Sequence, residues 1–190
     1  MQTPAEGLNR ILETLDRLEI HYMVVGSAAS SIHGIARPTL DVDLVADLHI
    51  DQIDDFAEGL KADFYADPEM MRQAILRGRC FNLIQYATSF KFDIFPLAKD
   101  EYSRIQFGRR QFSETKSLGP PVECAVASAE DTILNKLHWY RLGGETSERQ
   151  WNDLRGIIRI QGDTLDRAYM STWAPQLGVA DLLDRLLRGE

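Results

Sequence analysis

The sequence predicts an α+β fold: a mixed β-sheet flanked by helices, followed by a purely helical C-terminal subdomain. Three observations carry this reading. Short β-branched and aromatic runs alternate with amphipathic helical stretches as far as residue 126. Beyond that point apolar residues recur only at helical spacing. The 190 residues, 44% hydrophobic and 26% charged, suffice for one sizeable core with an extension. A soft boundary near residue 127 divides an α/β core, 1–127, from the helical part, 128–190.

Taken in order, residues 4–19 read as an amphipathic helix. Pro4 suits its first turn, and Leu8, Ile11, Leu12, Leu15 and Leu18 form its apolar stripe. A strand over 22–25 stops at Gly26, where a glycine permits a tight turn and close approach of a ligand. Ser27 is placed to cap a short helix over 28–33. Gly34 ends that helix, and His33 lies at its C-terminal end, where a cation is favoured. Arg37, Pro38 and Thr39 form a stiff loop before a strand over 40–45.

Helices are expected over 51–60 and 68–77, with a short strand over 61–65 between them. Strands over 80–86 and 90–95 form an antiparallel hairpin. A helix over 99–107 leads to an irregular or strand segment over 109–112. Gly119, Pro120 and Pro121 break the chain before a strand over 122–126. Ser128 caps a helix with acids in its first turn, and three more helices follow over 147–160, 166–176 and 179–187.

The chemistry concentrates in residues 22–46. Residues two apart share a face of a strand, so Asp41 and Asp43 point one way while Leu40, Val42 and Leu44 point the other. Paired carboxylates on an otherwise apolar strand repel each other, and a hard divalent cation such as magnesium removes that cost. The bland alternative is a solvated face of an edge strand. The preceding Gly26-Ser27 turn, which opens a helix toward an anion, shifts the reading to a site for phosphoryl or nucleotidyl transfer. Asp93 lies among Phe92, Ile94, Phe95 and Pro96, either solvated or held for function. Lys91 shares its face and can neutralise it or touch phosphate, though a peripheral place is favoured. Arg37 is a phosphate or acceptor contact, or the ion-pair partner of one of the aspartates.

The run Gly26-Ser27-x-Ala29, His33-Gly34, Arg37-x-Thr39-x-Asp41-x-Asp43-Leu44-Val45 resembles the signature of the nucleotidyltransferase superfamily typified by DNA polymerase β. It is most similar to AbiEii-type nucleotidyltransferases. The resemblance implies the nucleotidyltransferase fold and an Asp41, Asp43 and Asp93 set holding Mg2+ or Mn2+. It implies a triphosphate cradled by Gly26, Ser27 and the helix after them. It also implies a nucleotide-binding Lys136 in the Glu130-Asp131-x-Ile133-x-x-Lys136-Leu137 helix. Asp153 matches a later family acid, either a base or a partner of the lysine. Relatives are often toxins paired with an antitoxin, and some act on tRNA. Here Gly-Ser-Ala-Ala stands where those toxins commonly have Gly-Gly-Thr-Ala, and the chain leaves little room for an acceptor-binding domain.

Composition narrows the partners. The net charge of −8 excludes indiscriminate coating of nucleic acid. Residues 61–120 nevertheless carry 7 acids against 10 bases, among them Arg72, Arg109, Arg110 and Lys116. That is either a local RNA or phosphate surface or a set of solvated helix faces. No apolar run is long enough to span a bilayer, and Glu6 stands where a signal peptide is basic, so a cytoplasmic place is expected. Cys80 and Cys124 are expected as free thiols. The expected function is metal-dependent transfer of a nucleoside monophosphate from a triphosphate to a hydroxyl of RNA, protein or a small molecule. The alternative is a non-catalytic nucleotide-binding regulatory module.

Overall fold

The computed structural model describes residues 2–115 and 117–189; Lys116, one of the bases counted above, lies outside them. Seven strands form one mixed sheet in the order β3-β4-β5-β2-β1-β7-β6. The strands are β1 (Tyr22–Val25), β2 (Asp41–Ala46), β3 (Phe64–Tyr65), β4 (Phe81–Gln85), β5 (Lys91–Pro96), β6 (Gln111–Thr115) and β7 (Val122–Val126). The helices are α1 (Pro4–Arg17), α2 (Gly26–His33), α3 (Ile53–Leu60), α4 (Pro68–Leu76), α5 (Glu101–Gly108), α6 (Ala129–Leu142), α7 (Glu148–Gln161), α8 (Arg167–Gln176) and α9 (Ala180–Leu187). β2 pairs with β1 antiparallel and with β5 parallel. β1 pairs with β7 in parallel, and β4 with β5 as the expected antiparallel hairpin.

The strands' two-residue period separates the faces of the sheet. Val24, Val42, Leu44, Phe92 and Ile94 enter the main core with Leu8, Ile11 and Leu15 of α1 and Phe56 and Leu60 of α3. Phe92 meets Phe64 edge-on at 5.8 Å between ring centroids. Burying each such ring contributes about 1.5–3 kcal/mol. Met23 lies on the opposite face in a small cluster with Phe107 and Ala127, and that face also carries Asp41, Asp43 and Asp93. A second large core, built on Ile133, Leu137, Leu154, Ile157, Trp173 and Leu183, joins α6–α9 and takes in Tyr102 of α5.

Caps define several helix starts. Thr3 and Glu6 form a reciprocal capping box at α1, and Asp67, Asp100, Ser128, Ser147 and Asp166 cap α4 to α8. Three expectations change. Ser27 does not cap α2, which begins one residue earlier at Gly26, with Val25 at the cap position and no side-chain cap. Leu40 is 81% exposed, because β2 starts only at Asp41. His33 is buried and its Nε2–H donates to the Ala127 carbonyl at 2.7 Å. Burial pulls its pKa below the ordinary value, so it anchors α2 to the end of β7 as a neutral ring rather than serving as a cationic cap. Residues 111–115 form a regular edge strand where sequence left the choice open.

Gly34 has a second role besides ending α2. Its φ is negative, but a Cβ there would lie 2.8 Å from the Ile157 nitrogen and 3.0 Å from the Gly156 carbonyl carbon. Glycine lets α2 and α7 touch backbone to backbone, which brings Asp153 of α7 near the Gly26 turn. Gly34→Ala is expected to cost about 1–3 kcal/mol by overpacking. A urea titration should show the lower midpoint with an unchanged slope.

Candidate active site

The site grows from β2 and its two neighbours. Parallel pairing sets Asp43 beside Asp93 and Asp41 beside Lys91. Antiparallel pairing sets Asp43 opposite Val25, next to the Gly26 turn. Gly26 has φ +61°, a conformation glycine adopts freely, and a Cβ on it would collide with Asp43 Oδ2. Turn and carboxylate are therefore in contact, and nothing larger than glycine fits.

The structure brings Asp41, Asp43 and Asp93 together on one face of adjacent strands. Burial raises the Asp43 pKa to about 6, helped by the negative charges of Asp41 and Asp93 and opposed by Lys91 and Lys136. Lys91 is central to this cluster, not peripheral. Its Nζ lies 2.7 Å from Asp93 Oδ2 and 4.0 Å from Asp41 Oδ2. The side-chain amide of Asn82, directly across the hairpin from Asp93, donates to Asp93 Oδ1. Sequence reasoning missed Asn82, whose only signal is the hairpin register.

The other expected residues gather on the helical side. Asp153 accepts from Arg37 twice, Nε to Oδ1 at 2.7 Å and Nη2 to Oδ2 at 2.6 Å, and from Lys136 Nζ at 2.9 Å. Arg37 Nη2 also donates to Ser27 Oγ at 3.1 Å. Thus Arg37 pairs with Asp153 on α7, not with Asp41 or Asp43. Burial works to raise the Asp153 carboxyl, but its hydrogen bonds to Arg37 and Lys136 hold it below the usual range. Burial lowers the Lys136 pKa, and the Asp153 carboxylate limits the fall. Gly26 and Ser27 lie between this cationic group and the three carboxylates: Gly26 abuts Asp43, and Ser27 holds Arg37.

No protein-family model and no curated protein matches the sequence. Solved structures do match in fold. ANT(2")-Ia, in complex with adenylyl-2"-tobramycin, aligns over 91% of this chain and 98% of its own at 14% identity and a TM-score of 0.54. The lincosamide antibiotic adenylyltransferase LnuA, lincomycin-bound, aligns over 82% and 96% at 12% identity, TM-score 0.53. An antigenic nucleotidyltransferase-like protein from Paracoccidioides brasiliensis aligns over 97% and 92% at 18% identity, TM-score 0.54. The fold of this chain is the nucleotidyltransferase fold.

A divalent cation, as that fold implies, suits the residues present. Asp41 and Asp43 supply hard oxygen donors on one face, and the Asp43 pKa is raised mainly by burial and further by the charges of Asp41 and Asp93. Among the described residues no group of three His, Cys, Asp or Glu side chains is arranged to hold an ion.

Two outcomes follow. An acid whose pKa is higher folded than unfolded takes up protons on folding, so stability falls as pH rises from 3.8 toward about 6. With a chelator present, Asp43→Asn should be more stable than wild type by about 1–3 kcal/mol at neutral pH, converging near pH 4, as read by urea denaturation. Asp153→Ala leaves the buried Lys136 ammonium unpaired and should cost about 3–5 kcal/mol, detectable as a large fall in Tm.

Proposed function

We propose that this chain is a nucleotidyltransferase that moves a nucleoside monophosphate from a triphosphate to the hydroxyl of a small-molecule acceptor. The observation that carries the reading is the Gly26-Ser27 turn set between the carboxylates of Asp41, Asp43 and Asp93 and the cations of Lys136 and Arg37. The likeness to ANT(2")-Ia and LnuA in fold supports it.

The residues divide the work. The first backbone N–H groups of α2 have no partner within the helix, and they would receive phosphate oxygens at the Gly26 turn. Lys136 adds a compact point charge for the triphosphate, and Arg37 adds a planar fork. Asp153 keeps both side chains aimed until a nucleotide competes for them. Asp41 and Asp43 would hold Mg2+ or Mn2+, whose charge would neutralise phosphate oxygens. Asp93, beside Asp43 on the neighbouring strand, would accept the proton of the attacking hydroxyl. The acceptor oxygen forms a bond to the α-phosphorus while the bond to the bridging oxygen breaks, and pyrophosphate leaves with that electron pair. Catalysis is mainly alignment and charge neutralisation.

The acceptor reading rests on where the basic residues go. Arg72 pairs with Asp54 and Glu69. Arg109 pairs with Glu130 and Asp131, and Arg110 stacks on Phe107. These side chains are engaged within the protein, which favours a small molecule over RNA. The AbiEii-type resemblance, with its RNA acceptors, toxin role and antitoxin partner, rests on the sequence signature alone.

The test offers α-labelled nucleotides with Mg2+ or Mn2+ and three acceptor pools: aminoglycosides and lincosamides, total RNA, and the protein itself. Label should move to a small molecule, and Asp41→Ala and Asp43→Ala should each reduce transfer by about 100-fold or more. Label on RNA would overturn the acceptor assignment. Metal-dependent nucleotide binding without transfer would favour a regulatory module instead.

A further inference from the structure

Lys91 and Asn82 alter what the third carboxylate can do. Each oxygen of Asp93 already has a donor: the Asn82 amide on Oδ1 and the Lys91 ammonium, 2.7 Å away, on Oδ2. Strand pairing sets both. Asn82 is the cross-strand partner of Asp93 on β4, and Lys91 shares its face on β5 while standing beside Asp41 of β2. Asp41 and Asp43 are differently placed. Asp41 Oδ1 has only a 3.4 Å contact from Thr39 Oγ1, and among the described residues no side chain hydrogen-bonds to the Asp43 carboxylate. The charge count agrees. Three carboxylates and one ammonium leave two negative charges, the charge of one divalent ion.

We propose that Lys91 acts as a tethered cation in the place of a second divalent ion, so that the chain binds one such ion, through Asp41 and Asp43, with Asp93 outside its coordination shell. This rests on the nucleotidyltransferase reading and deepens it. Lys91 is the better occupant of that position for a physical reason. Its ammonium is delivered by the strand itself, 2.7 Å from one carboxylate and 4.0 Å from another, and it must lose little hydration because its side chain stays 43% exposed. A hydrated magnesium ion gives up water reluctantly and would have to displace it. Held by Lys91 and Asn82, Asp93 stays oriented. Each carboxylate oxygen has two lone pairs, so one remains on each to accept the hydroxyl proton.

Equilibrium dialysis of the nucleotide-free protein against Mn2+ up to millimolar concentration tests this, with bound metal counted per chain. Wild type should bind one ion. Asp93→Asn should also bind one, with affinity within about threefold of wild type, whereas Asp43→Asn should lose at least tenfold. Lys91→Met should bind two, because Asp93 Oδ2 is freed; Lys91→Gln, which keeps a polar side chain, provides a second variant should the first fail to fold. Two ions on wild type, one ion on both folded Lys91 variants, or an Asp93→Asn loss as large as that of Asp43→Asn would overturn the proposal. The transfer assay separates the two readings. Active wild type with two bound ions overturns only the tethered cation, whereas no bound Mn2+ and no transfer overturns both.

Discussion

The parallel pairing of β2 with β5 is the constraint on which the site depends. It places Asp43 directly beside Asp93, with Asp41 one strand period away. Like charges on adjacent strands are unfavourable, and the fold meets that cost with specific neighbours. Lys91 enters the cluster from the same strand as Asp93, and Asn82 reaches Asp93 from the next strand. Gly26 gives Asp43 the room that any side chain would take. The opposite face of the same strands is conventional: Val42, Leu44, Phe92 and Ile94 lie fully buried against α1 and α3. One strand pair thus anchors the main core on one side and concentrates charge on the other.

Asp153 has the corresponding part on the helical side. It gathers cations from two elements, Arg37 from the loop before β2 and Lys136 from α6. Its own helix reaches them because Gly34 and Gly156 let α2 and α7 pack backbone to backbone. Ser27 is joined to the group through Arg37. A second charged cluster fastens the helices further along. Asp131, fully buried at the start of α6, accepts from Ser128 at 2.7 Å and from Tyr169 of α8 at 2.6 Å, and it pairs with Arg109 at 3.3 Å. Such clusters contribute little net stability compared with apolar packing, but removing one member leaves a buried charge exposed to its full desolvation cost. They therefore fix orientation more than they add stability.

The two groups differ in charge across the Gly26-Ser27 turn, three carboxylates with Lys91 on one side and Arg37 and Lys136 with Asp153 on the other. A triphosphate bearing a metal ion has matching polarity. Arg37 and Lys136 share Asp153 as their ion-pair partner rather than pairing with Asp41 or Asp43.

Local chemistry made much of this legible in the sequence. Periodicity of two or of 3.6 residues is a property of the backbone, so β1, the hairpin β4–β5, α1 and the helical run after residue 126 could be read directly. The spacing of Asp41 and Asp43, and their nearness to Gly26-Ser27, are also local facts. What sequence did not determine was every relation across strands and between layers. The place of Lys91 depends on β5 lying parallel to β2 in one register, and Asn82 matters only through the hairpin register. Arg37 found a partner 116 residues away, and His33 one 94 residues away. Ser27 lost its expected capping role because α2 starts at Gly26, where the positive φ and the nearness of Asp43 both require glycine. Residue types and short-range spacing determine which groups are available; only tertiary packing decides which of them meet, because hydrogen bonds and ion pairs act over a few ångströms in space, without regard to separation along the chain.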